Sequence, residues 1–256
     1  MTVLEVKNIA KRFGGIQALT DVNFSVGEGE VFGLIGPNGA GKTTMFNMIT
    51  AMFPQTSGEI LFNGENLAGK KPHEITEIGI CRTFQNIRLF PDMTVMENVI
   101  VGEHCRTKAG VWSSVFHTKK QKQEEKAVRD RAVALLKLVN LTEQADEFAD
   151  NLSYGQQRRL EIARALASKP KLLLLDEPAA GMNEKETNDL FDLIQKIKAN
   201  GITVLLIEHD MPLVMRICDR MAVLNFGREI ALGTPEAIRT NPEVIEAYLG
   251  KEEEEN

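Results

Sequence analysis

Short apolar segments alternate with longer amphipathic segments along most of the chain. The short segments are rich in Val, Ile and Leu and are predicted to be strands; they occupy 3–9, 22–26, 31–35, 58–62, 80–84, 172–176, 204–207 and 221–224. The longer segments have apolar residues at helical spacing and occupy 43–51, 156–167, 184–199 and 212–218. Alternation of buried strands with helices is typical of a parallel sheet covered on both faces. The pattern therefore predicts an α/β fold.

The middle of the chain has no strand-like segment. Residues 119–131 are highly charged, and residues 132–139 have helical periodicity. We therefore predict a helical subdomain inserted into an α/β body that has an antiparallel β portion near its N-terminus. In chain order, the predicted parts are the first part of the core with the antiparallel portion (1–85), the helical subdomain (86–165), the remainder of the core with C-terminal helices (166–250) and an acidic tail (251–256).

The composition is that of a soluble globular protein, with 43% hydrophobic and 26% charged residues in a chain of 256. The net charge is −6, and four of the acidic residues lie in the tail, at 252–255. The rest of the chain is close to neutral, whereas a nucleic-acid-binding surface requires a basic face. We therefore expect no nucleic-acid partner.

The cysteines and the apolar runs set further limits. The spacings of Cys81, Cys105 and Cys218 match no metal-ligand or redox pair, which indicates reduced thiols in a cytosolic protein. The N-terminal residues have no signal-peptide pattern. The apolar strand-like runs 172–175 and 204–207 are four residues long, whereas a membrane-spanning helix needs about 20 residues. We expect that this chain does not cross a bilayer by itself.

Residues 36–44 read GPNGAGKTT and fit the phosphate-binding pattern G-x-x-x-x-G-K-[ST]. The pattern lies between a predicted strand and a predicted helix, which is the context that it requires. Glycines allow successive backbone N–H groups to face one anion, and the helix N-terminus adds a positive dipole end. Lys42 is predicted to reach the β- and γ-phosphates of a nucleotide, and Thr43 to bind Mg²⁺. The predicted nucleotide-binding residues of this loop are Gly36, Pro37, Asn38, Gly39, Ala40, Gly41, Lys42, Thr43 and Thr44.

Two carboxylates follow the apolar run 172–175. Asp176 comes at the C-terminal end of this predicted buried strand, and Glu177 follows directly. Ligands of open parallel sheets bind at that end of the strands. Asp176 is predicted to hold Mg²⁺, directly or through water, and Glu177 is predicted to polarise a water that attacks the γ-phosphate.

Further segments complete a recognisable set. Residues 152–156 read LSYGQ and lie 24 residues before Asp176. Gln85 lies in the segment TFQ, and His209 follows an apolar strand in the segment IEHD. Together with Phe13 and the phosphate loop, these segments resemble, in the same order, the motifs of ABC-type ATPases. The resemblance extends over nearly the whole chain.

The resemblance implies a P-loop enzyme that hydrolyses ATP, with ATP and Mg²⁺ as cofactors. Four residues are implied in catalysis, namely Glu177, His209, Lys42 and Gln85. Three are implied as metal ligands, namely Thr43, Gln85 and Asp176. The nucleotide-binding set gains four residues outside the phosphate loop, namely Phe13 against adenine, and Ser153, Gly155 and Gln156 against the ATP of a partner subunit.

The resemblance also implies partners and a location. Two ATP molecules would lie between this chain and a second ATP-binding subunit, homologous or identical, and closure of that dimer would be the power stroke. Two transmembrane permease subunits would carry the solute, which an extracytoplasmic solute-binding protein would deliver. The chain would be cytoplasmic and peripheral, on the inner face of the cell membrane.

Two longer segments narrow the resemblance. Residues 81–99 and 154–164 resemble importers of branched-chain amino acids, in particular the larger of their two ATP-binding subunits. Importers of urea or of other amino acids and amides, and the lipopolysaccharide-export ATPase, are similar and stay open as alternatives. ABC-type ATPases that act on DNA carry long coiled coils, but the 67 positions from Gln85 to Leu152 contain no sustained heptads. A GTPase is disfavoured because no guanine-binding Asn-Lys-x-Asp segment is present.

Two positions depart from the wider family. Tyr154 stands where a second glycine is usual, so its side chain is expected to point away from the phosphate. Asn183 stands where many relatives have aspartate, and it could form a hydrogen bond across a dimer without carrying a charge.

Structural predictions follow for two groups of apolar residues. One set is predicted to form a groove for a helix of a membrane subunit or to pack between subdomains: Ile87, Leu89, Phe90, Met93 and Val95. The other set recurs at helical spacing and is predicted to be core: Met45, Met48 and Met52.

Overall fold

The computed structural model describes residues 1–103, 119–208 and 211–249. Cys105, His209 and residues 250–256 lie outside these ranges. The strands are β1 (Thr2–Phe13), β2 (Ile16–Gly27), β3 (Val31–Ile35), β4 (Ser57–Phe62), β5 (Glu65–Asn66), β6 (Ile80–Arg82), β7 (Leu172–Asp176), β8 (Thr203–Ile207), β9 (Arg220–Asn225) and β10 (Arg228–Gly233). The helices are α1 (Lys42–Ile49), α2 (Pro72–Ile78), α3 (Val95–Glu103), α4 (Lys119–Leu138), α5 (Tyr154–Ala167), α6 (Glu184–Ala199), α7 (Met211–Ile217), α8 (Pro235–Arg239) and α9 (Pro242–Leu249).

The N-terminal part of the chain forms an antiparallel four-stranded sheet in the order β2-β1-β4-β5. The β1–β2 hairpin is longer than predicted, because β1 continues past Ile9 to Phe13, which pairs with Ile16. The apolar alternation is lost after Ile9 because register shifts interrupt the pairing between Ile9 and Lys11. The predicted antiparallel β portion is confirmed.

The second sheet has six strands in the order β10-β9-β3-β8-β7-β6. Neighbouring strands from β9 to β6 are parallel, and β10 pairs with β9 in the antiparallel direction. Every residue of β3, β7 and β8 is buried, which explains their continuous apolar sequences. Asp176 is the last residue of β7 and therefore lies at the C-terminal end of the parallel strands, where ligands bind. The predicted α/β fold with parallel strands is confirmed, and the antiparallel edge strand β10 makes the sheet mixed.

The two faces of the six-stranded sheet contribute to separate apolar cores, because side chains alternate across each strand. Leu173 and Leu175 of β7 pack in the core that contains residues of helices α3 to α6. Leu172 and Leu174 pack in the core that contains α1 and the antiparallel sheet. Each of these four side chains is fully buried, which stabilises the fold by roughly 1.5–3 kcal/mol per side chain.

Helices α3, α4 and α5 lie between β6 and β7 in the chain and pack on one another. Their fully buried contacts include Val99 of α3, Leu136 of α4 and Leu160 of α5. Helix α5 then leads back to the sheet. Within the described parts of the chain, no helix combines the length and the apolar character needed to span a membrane.

The methionine set that follows the phosphate loop is core only in part. Met45 and Met48 are buried as predicted, but Met52 is 56% exposed, so that prediction is wrong. Helix α1 ends at Ile49, and Ala51 has a positive φ of 54°. The helical spacing therefore does not carry Met52 onto the buried face.

Candidate nucleotide-binding and hydrolysis site

The phosphate loop connects β3 to α1 and has a backbone that only glycine permits at Gly36. Gly36 has φ 146°, and a Cβ atom there would lie 2.0 Å from the carbonyl oxygen of Leu224. Gly41 has a left-handed conformation and is the N-cap residue of α1. Helix α1 begins at Lys42, within the loop 36–44. Its first N–H groups and its positive dipole end therefore lie at Thr43, which is exposed. This is the geometry of an anion-binding loop.

Lys42 is buried, and two carbonyl groups of the phosphate loop hold its ammonium group. Lys42 Nζ donates to the carbonyl oxygens of Gly36 at 2.6 Å and Pro37 at 2.9 Å. Burial lowers the pKa of Lys42, and the negative charges of Glu177 and Asp176 oppose that shift. The Lys42 ammonium group therefore lies in the field of the two carboxylates that end and follow β7.

Asp176 is 3% exposed and forms a buried ion pair. Arg82 Nη2, at the end of β6, donates to Asp176 Oδ2 at 2.6 Å. Arg82 Nη1 donates to the side-chain oxygen of Asn47 on α1 at 2.7 Å. The arginine thus connects the carboxylate of β7 to the helix that follows the phosphate loop.

Glu177 has a left-handed backbone conformation, with φ 45°, which is uncommon for a residue with a side chain. Its N–H donates to the carbonyl oxygen of Ile207 at 2.9 Å. Its side chain contacts the predicted catalytic glutamine, because Gln85 Nε2 donates to Glu177 Oε2 at 2.9 Å. The structure thus brings Gln85 and Glu177 together although they are 92 positions apart.

A buried ion pair on α5 holds the Gln85 segment (residues 84–88). Arg158 is 0% exposed and Glu161 is 2% exposed, and Arg158 Nη1 lies 2.8 Å from Glu161 Oε2. Arg158 donates to the carbonyl oxygens of Phe84 and Gln85. Glu161 Oε1 accepts the N–H groups of Phe84 and Arg88, each at 3.3 Å. Helix α5 is therefore attached to the backbone on both sides of Gln85.

The segment 152–156 forms the start of α5. The Ser153 side chain accepts the N–H of Gln156, and the Gln156 side chain accepts the N–H of Ser153, so the two residues form a capping box. Ser153 is exposed, and Gly155 is closely covered because a Cβ atom there would lie 2.5 Å from Glu186 Oε1. Among the described residues, no hydrogen bond joins this segment to the phosphate loop. The segment therefore presents a separate helix N-terminus.

The two departures from the wider family pattern have local roles. The Tyr154 hydroxyl accepts a hydrogen bond from Arg158 Nη2 at 3.2 Å, so this ring turns towards the buried ion pair. Asn183 is the N-cap residue of α6, and its side-chain oxygen accepts the N–H of Glu186 at 3.0 Å. Asparagine and aspartate are comparably good N-cap residues.

Phe13 lies at the end of β1 in an aromatic cluster. Its ring packs edge-on against Phe53, with the ring centroids 5.2 Å apart. Lys11 Nζ lies 4.8 Å from the Phe13 centroid and donates to the carbonyl oxygen of Pro54 at 2.6 Å. Phe13 is 44% exposed, which leaves part of the ring accessible to a planar ligand.

Some functional contacts could not be recognised from the sequence motifs. His209 lies outside the described residues, but its neighbour Glu208 is buried and accepts the N–H of Ala179, just beyond Glu177, at 2.8 Å. The side chains of Arg82 and Arg158 contact the predicted site residues Asp176 and Gln85, and Glu161 pairs with Arg158. For Arg158 and Glu161 the i, i+3 charge pair is only a weak sequence signal, because the same helix also contains Arg159 and Arg164.

Comparisons with known proteins agree with this geometry. The family model described as ABC transporter matches residues 19–180. The model described as branched-chain amino acid ATP-binding cassette transporter matches residues 228–254. The chain is 49% identical to the high-affinity branched-chain amino acid transport ATP-binding protein BraF of Pseudomonas aeruginosa, over 97% of this chain and 98% of that protein.

Two solved structures share the fold. One is an ATP-binding cassette of an ABC transporter in its ADP conformation, with a TM-score of 0.85, 37% identity, and coverage of 98% of this chain and 100% of that chain. The other is a dimeric ATP-binding cassette bound to ADP and phosphate, with a TM-score of 0.75, 29% identity, and coverage of 91% and 98%. The chain belongs to the family of ATP-binding proteins of ABC transporters.

Proposed function

We propose that this chain hydrolyses ATP to drive the uptake of branched-chain amino acids through separate membrane subunits. The observation that carries the proposal is that the phosphate loop with Lys42 follows β3, while Asp176 ends and Glu177 follows β7, so both groups lie at the same end of one parallel sheet. The relative that is 49% identical is named as a branched-chain amino acid transport ATP-binding protein, which supports the solute class.

ATP would bind with its triphosphate on the loop 36–44 and its adenine against Phe13. The backbone N–H groups and Lys42 would supply positive potential to the phosphates, which is the main contribution that a protein makes to phosphoryl transfer. Lys42 is already held at the loop by two carbonyl groups. These contacts keep the ammonium group at the loop that would bind the phosphates.

The residues at the site fit Mg²⁺, which prefers oxygen ligands. Thr43 supplies an exposed hydroxyl group, Asp176 a carboxylate and Gln85 an amide oxygen. Among the described residues, no hydrogen bond is made to Asp176 Oδ1, so one oxygen of this carboxylate is available for a ligand. When bound, Mg²⁺ would neutralise charge on the β- and γ-phosphates.

Glu177 would orient and deprotonate the attacking water, and Gln85 would position Glu177. The hydrogen bond between the two side chains supports this pairing of roles. His209 would contact the γ-phosphate, a role that rests on the family motif. Hydrolysis then needs no covalent intermediate on the protein.

A second ATP-binding subunit would complete the site. Ser153 is exposed at the start of α5, where Gly155 and Gln156 follow, and among the described residues no hydrogen bond joins them to this chain's own phosphate loop. A helix N-terminus binds phosphate well, and a related cassette is a dimer in its ADP- and phosphate-bound state. We therefore assign this segment to the ATP that is held mainly by the partner.

Permease subunits would dock beside the Gln85 segment, with the chain on the inner face of the membrane. A cavity of about 480 Å³ lies there, with Leu89, Phe90 and Arg164 in its lining. Residues 86–165 would then act as the subdomain that transmits ATP binding to the permease. Val95 is fully buried in the core, so for this residue the alternative expectation holds, namely packing between subdomains.

Phe90→Asp tests the docking. Phe90 is 44% exposed, and the guanidinium of Arg164 lies 5.5 Å from its ring centroid. A carboxylate would remove the apolar contact with a permease helix, so the yield of membrane subunits that co-purify with the tagged chain should fall at least tenfold. Phe226→Asp is the control, because Phe226 is 90% exposed outside the cavity. Equal co-purification of the Phe90 variant and wild type would contradict the proposed docking surface.

A further inference from the structure

Arg82 is the feature of the site that the proposed catalytic roles leave unused. Its guanidinium is paired with Asp176, and the side chains of the two residues are 7% and 5% exposed. Asp176 is also the carboxylate assigned to Mg²⁺. The Asp176 carboxylate therefore pairs with Arg82 in this structure and would bind Mg²⁺ in the proposed active complex.

Arg82 contacts three elements that surround the site. Nη1 donates to Asn47 on α1, and the guanidinium lies 5.5 Å from the ring centroid of Phe46 and 5.3 Å from that of Phe84. Arg82 Nε is buried without a hydrogen-bond partner among the described residues. Arg82 therefore connects the Asp176 carboxylate to α1 and to the Gln85 segment.

We propose that Arg82 is a positioning residue that holds Asp176 in place when no Mg²⁺ is bound and releases part of this interaction when the metal binds. The inference rests on the proposed metal role of Asp176. A buried carboxylate is unstable without a cation, and Arg82 supplies one. Arg82 ends β6, three residues before Gln85, so the proposed contact lies at the strand end that leads into the Gln85 segment.

Ligand-dependent unfolding distinguishes this role from a merely structural one. Without metal, Arg82→Gln leaves the Asp176 carboxylate buried and unpaired, and Tm should fall by about 10 °C. Mg²⁺ with a non-hydrolysable ATP analogue gives Asp176 a new cation, so the Tm gap between wild type and variant should shrink by at least half. The same analogue with EDTA should leave the gap unchanged.

Two control variants separate the possible outcomes. Arg131→Gln removes another arginine that forms two 2.7 Å contacts with a buried carboxylate, Glu103, and its Tm gap should be the same in all ligand states. Asp176→Asn should abolish the additional stabilisation that Mg²⁺ gives to the wild type. If it does not, the metal role of Asp176 fails, and the inference fails with it.

A different result would contradict only the role proposed for Arg82 and leave the metal role of Asp176 intact. In that result, Asp176→Asn would no longer be stabilised by Mg²⁺. The difference in Tm between wild type and Arg82→Gln, however, would be the same with EDTA as with Mg²⁺. Arg82 would then be a structural residue beside an intact metal site. If Arg82→Gln does not fold, Arg82→Lys permits the same comparison, because the single ammonium group of lysine keeps the charge but pairs less well with the Asp176 carboxylate than the planar guanidinium does. Its gap should be smaller and should shrink in the same way.

Discussion

Glu177→Gln is expected to lower kcat for ATP hydrolysis by about 100- to 10 000-fold, the range of general acid–base catalysis. Glutamine keeps the size of the side chain, and its amide oxygen can still accept the hydrogen bond from Gln85. It cannot take a proton from the attacking water. The affinity for ATP should therefore change little, whereas phosphate release should nearly stop.

Phosphate release from ATP and Mg²⁺, measured alongside the dissociation constant of ATP, tests this prediction. Glu59→Gln is a suitable control, because Glu59 is exposed on the antiparallel sheet and its loss should leave the rate within a factor of two. Wild-type release no faster than that of the Glu177 variant would contradict hydrolysis. The chain would then be a module that binds ATP without turning it over.

Arg158→Met is expected to lower the free energy of unfolding by about 3–5 kcal/mol, because it leaves a buried carboxylate without its partner. Glu161 would stay in the interior, and the carbonyl oxygens of Phe84 and Gln85 would lose their donor. The loss should also free the Gln85 segment from α5. Activity should therefore fall by more than the unfolded fraction explains.

Chemical denaturation measures the stability change. Arg159→Met is the matched control on the same helix, because Arg159 lies 3.8 Å from the half-exposed Asp189, and its loss should cost about 1 kcal/mol or less. The double variant Arg158→Met with Glu161→Leu should be more stable than Arg158→Met alone, since no buried charge remains. A cost below 1 kcal/mol for Arg158→Met would contradict the role given to this ion pair.

The pH dependence gives an independent check on the same ion pair. Burial raises the pKa of Glu161, and the positive charge of Arg158 opposes that shift. Without Arg158 the folded-state pKa rises further, so the ionised form destabilises the fold above that pKa. The stability difference between wild type and Arg158→Met should therefore shrink as the pH falls through the raised pKa of Glu161 in the variant and this carboxylate becomes protonated.

The parts of the fold that the sequence predicts well are those set by local pattern. The four leucines before Asp176 predict a strand because strands that are buried on both faces have continuous apolar sequences. The glycine spacing of the phosphate loop predicts its backbone. Strand β10 (Arg228–Gly233) is not predicted, because it lies at the sheet edge and is only partly buried, so its apolar pattern is weak. Met52 fails as a core residue because helix α1 ends before it.

The side-chain partners within the site depend on contacts far apart in the chain. Arg82 and Asp176 are 94 positions apart, and Arg158 and Phe84 are 74 positions apart. No local pattern indicates that an arginine after β6 will meet the carboxylate that ends β7. The strand order, in which β6 and β7 are parallel neighbours, brings these groups together. The sequence motifs identify the reacting residues, and the fold identifies the residues that position them.

Uptake of labelled leucine and labelled urea by the native cell, with chromosomal Lys42→Ala against wild type, is the most direct test of the proposed motor and its solute. Lys42→Ala removes the loop ammonium that would bind the phosphates, so we expect leucine uptake to be lost and urea uptake to be unchanged. Loss of urea uptake with intact leucine uptake would contradict the assignment to branched-chain amino acids. Unchanged uptake of both solutes would contradict the proposed solute class.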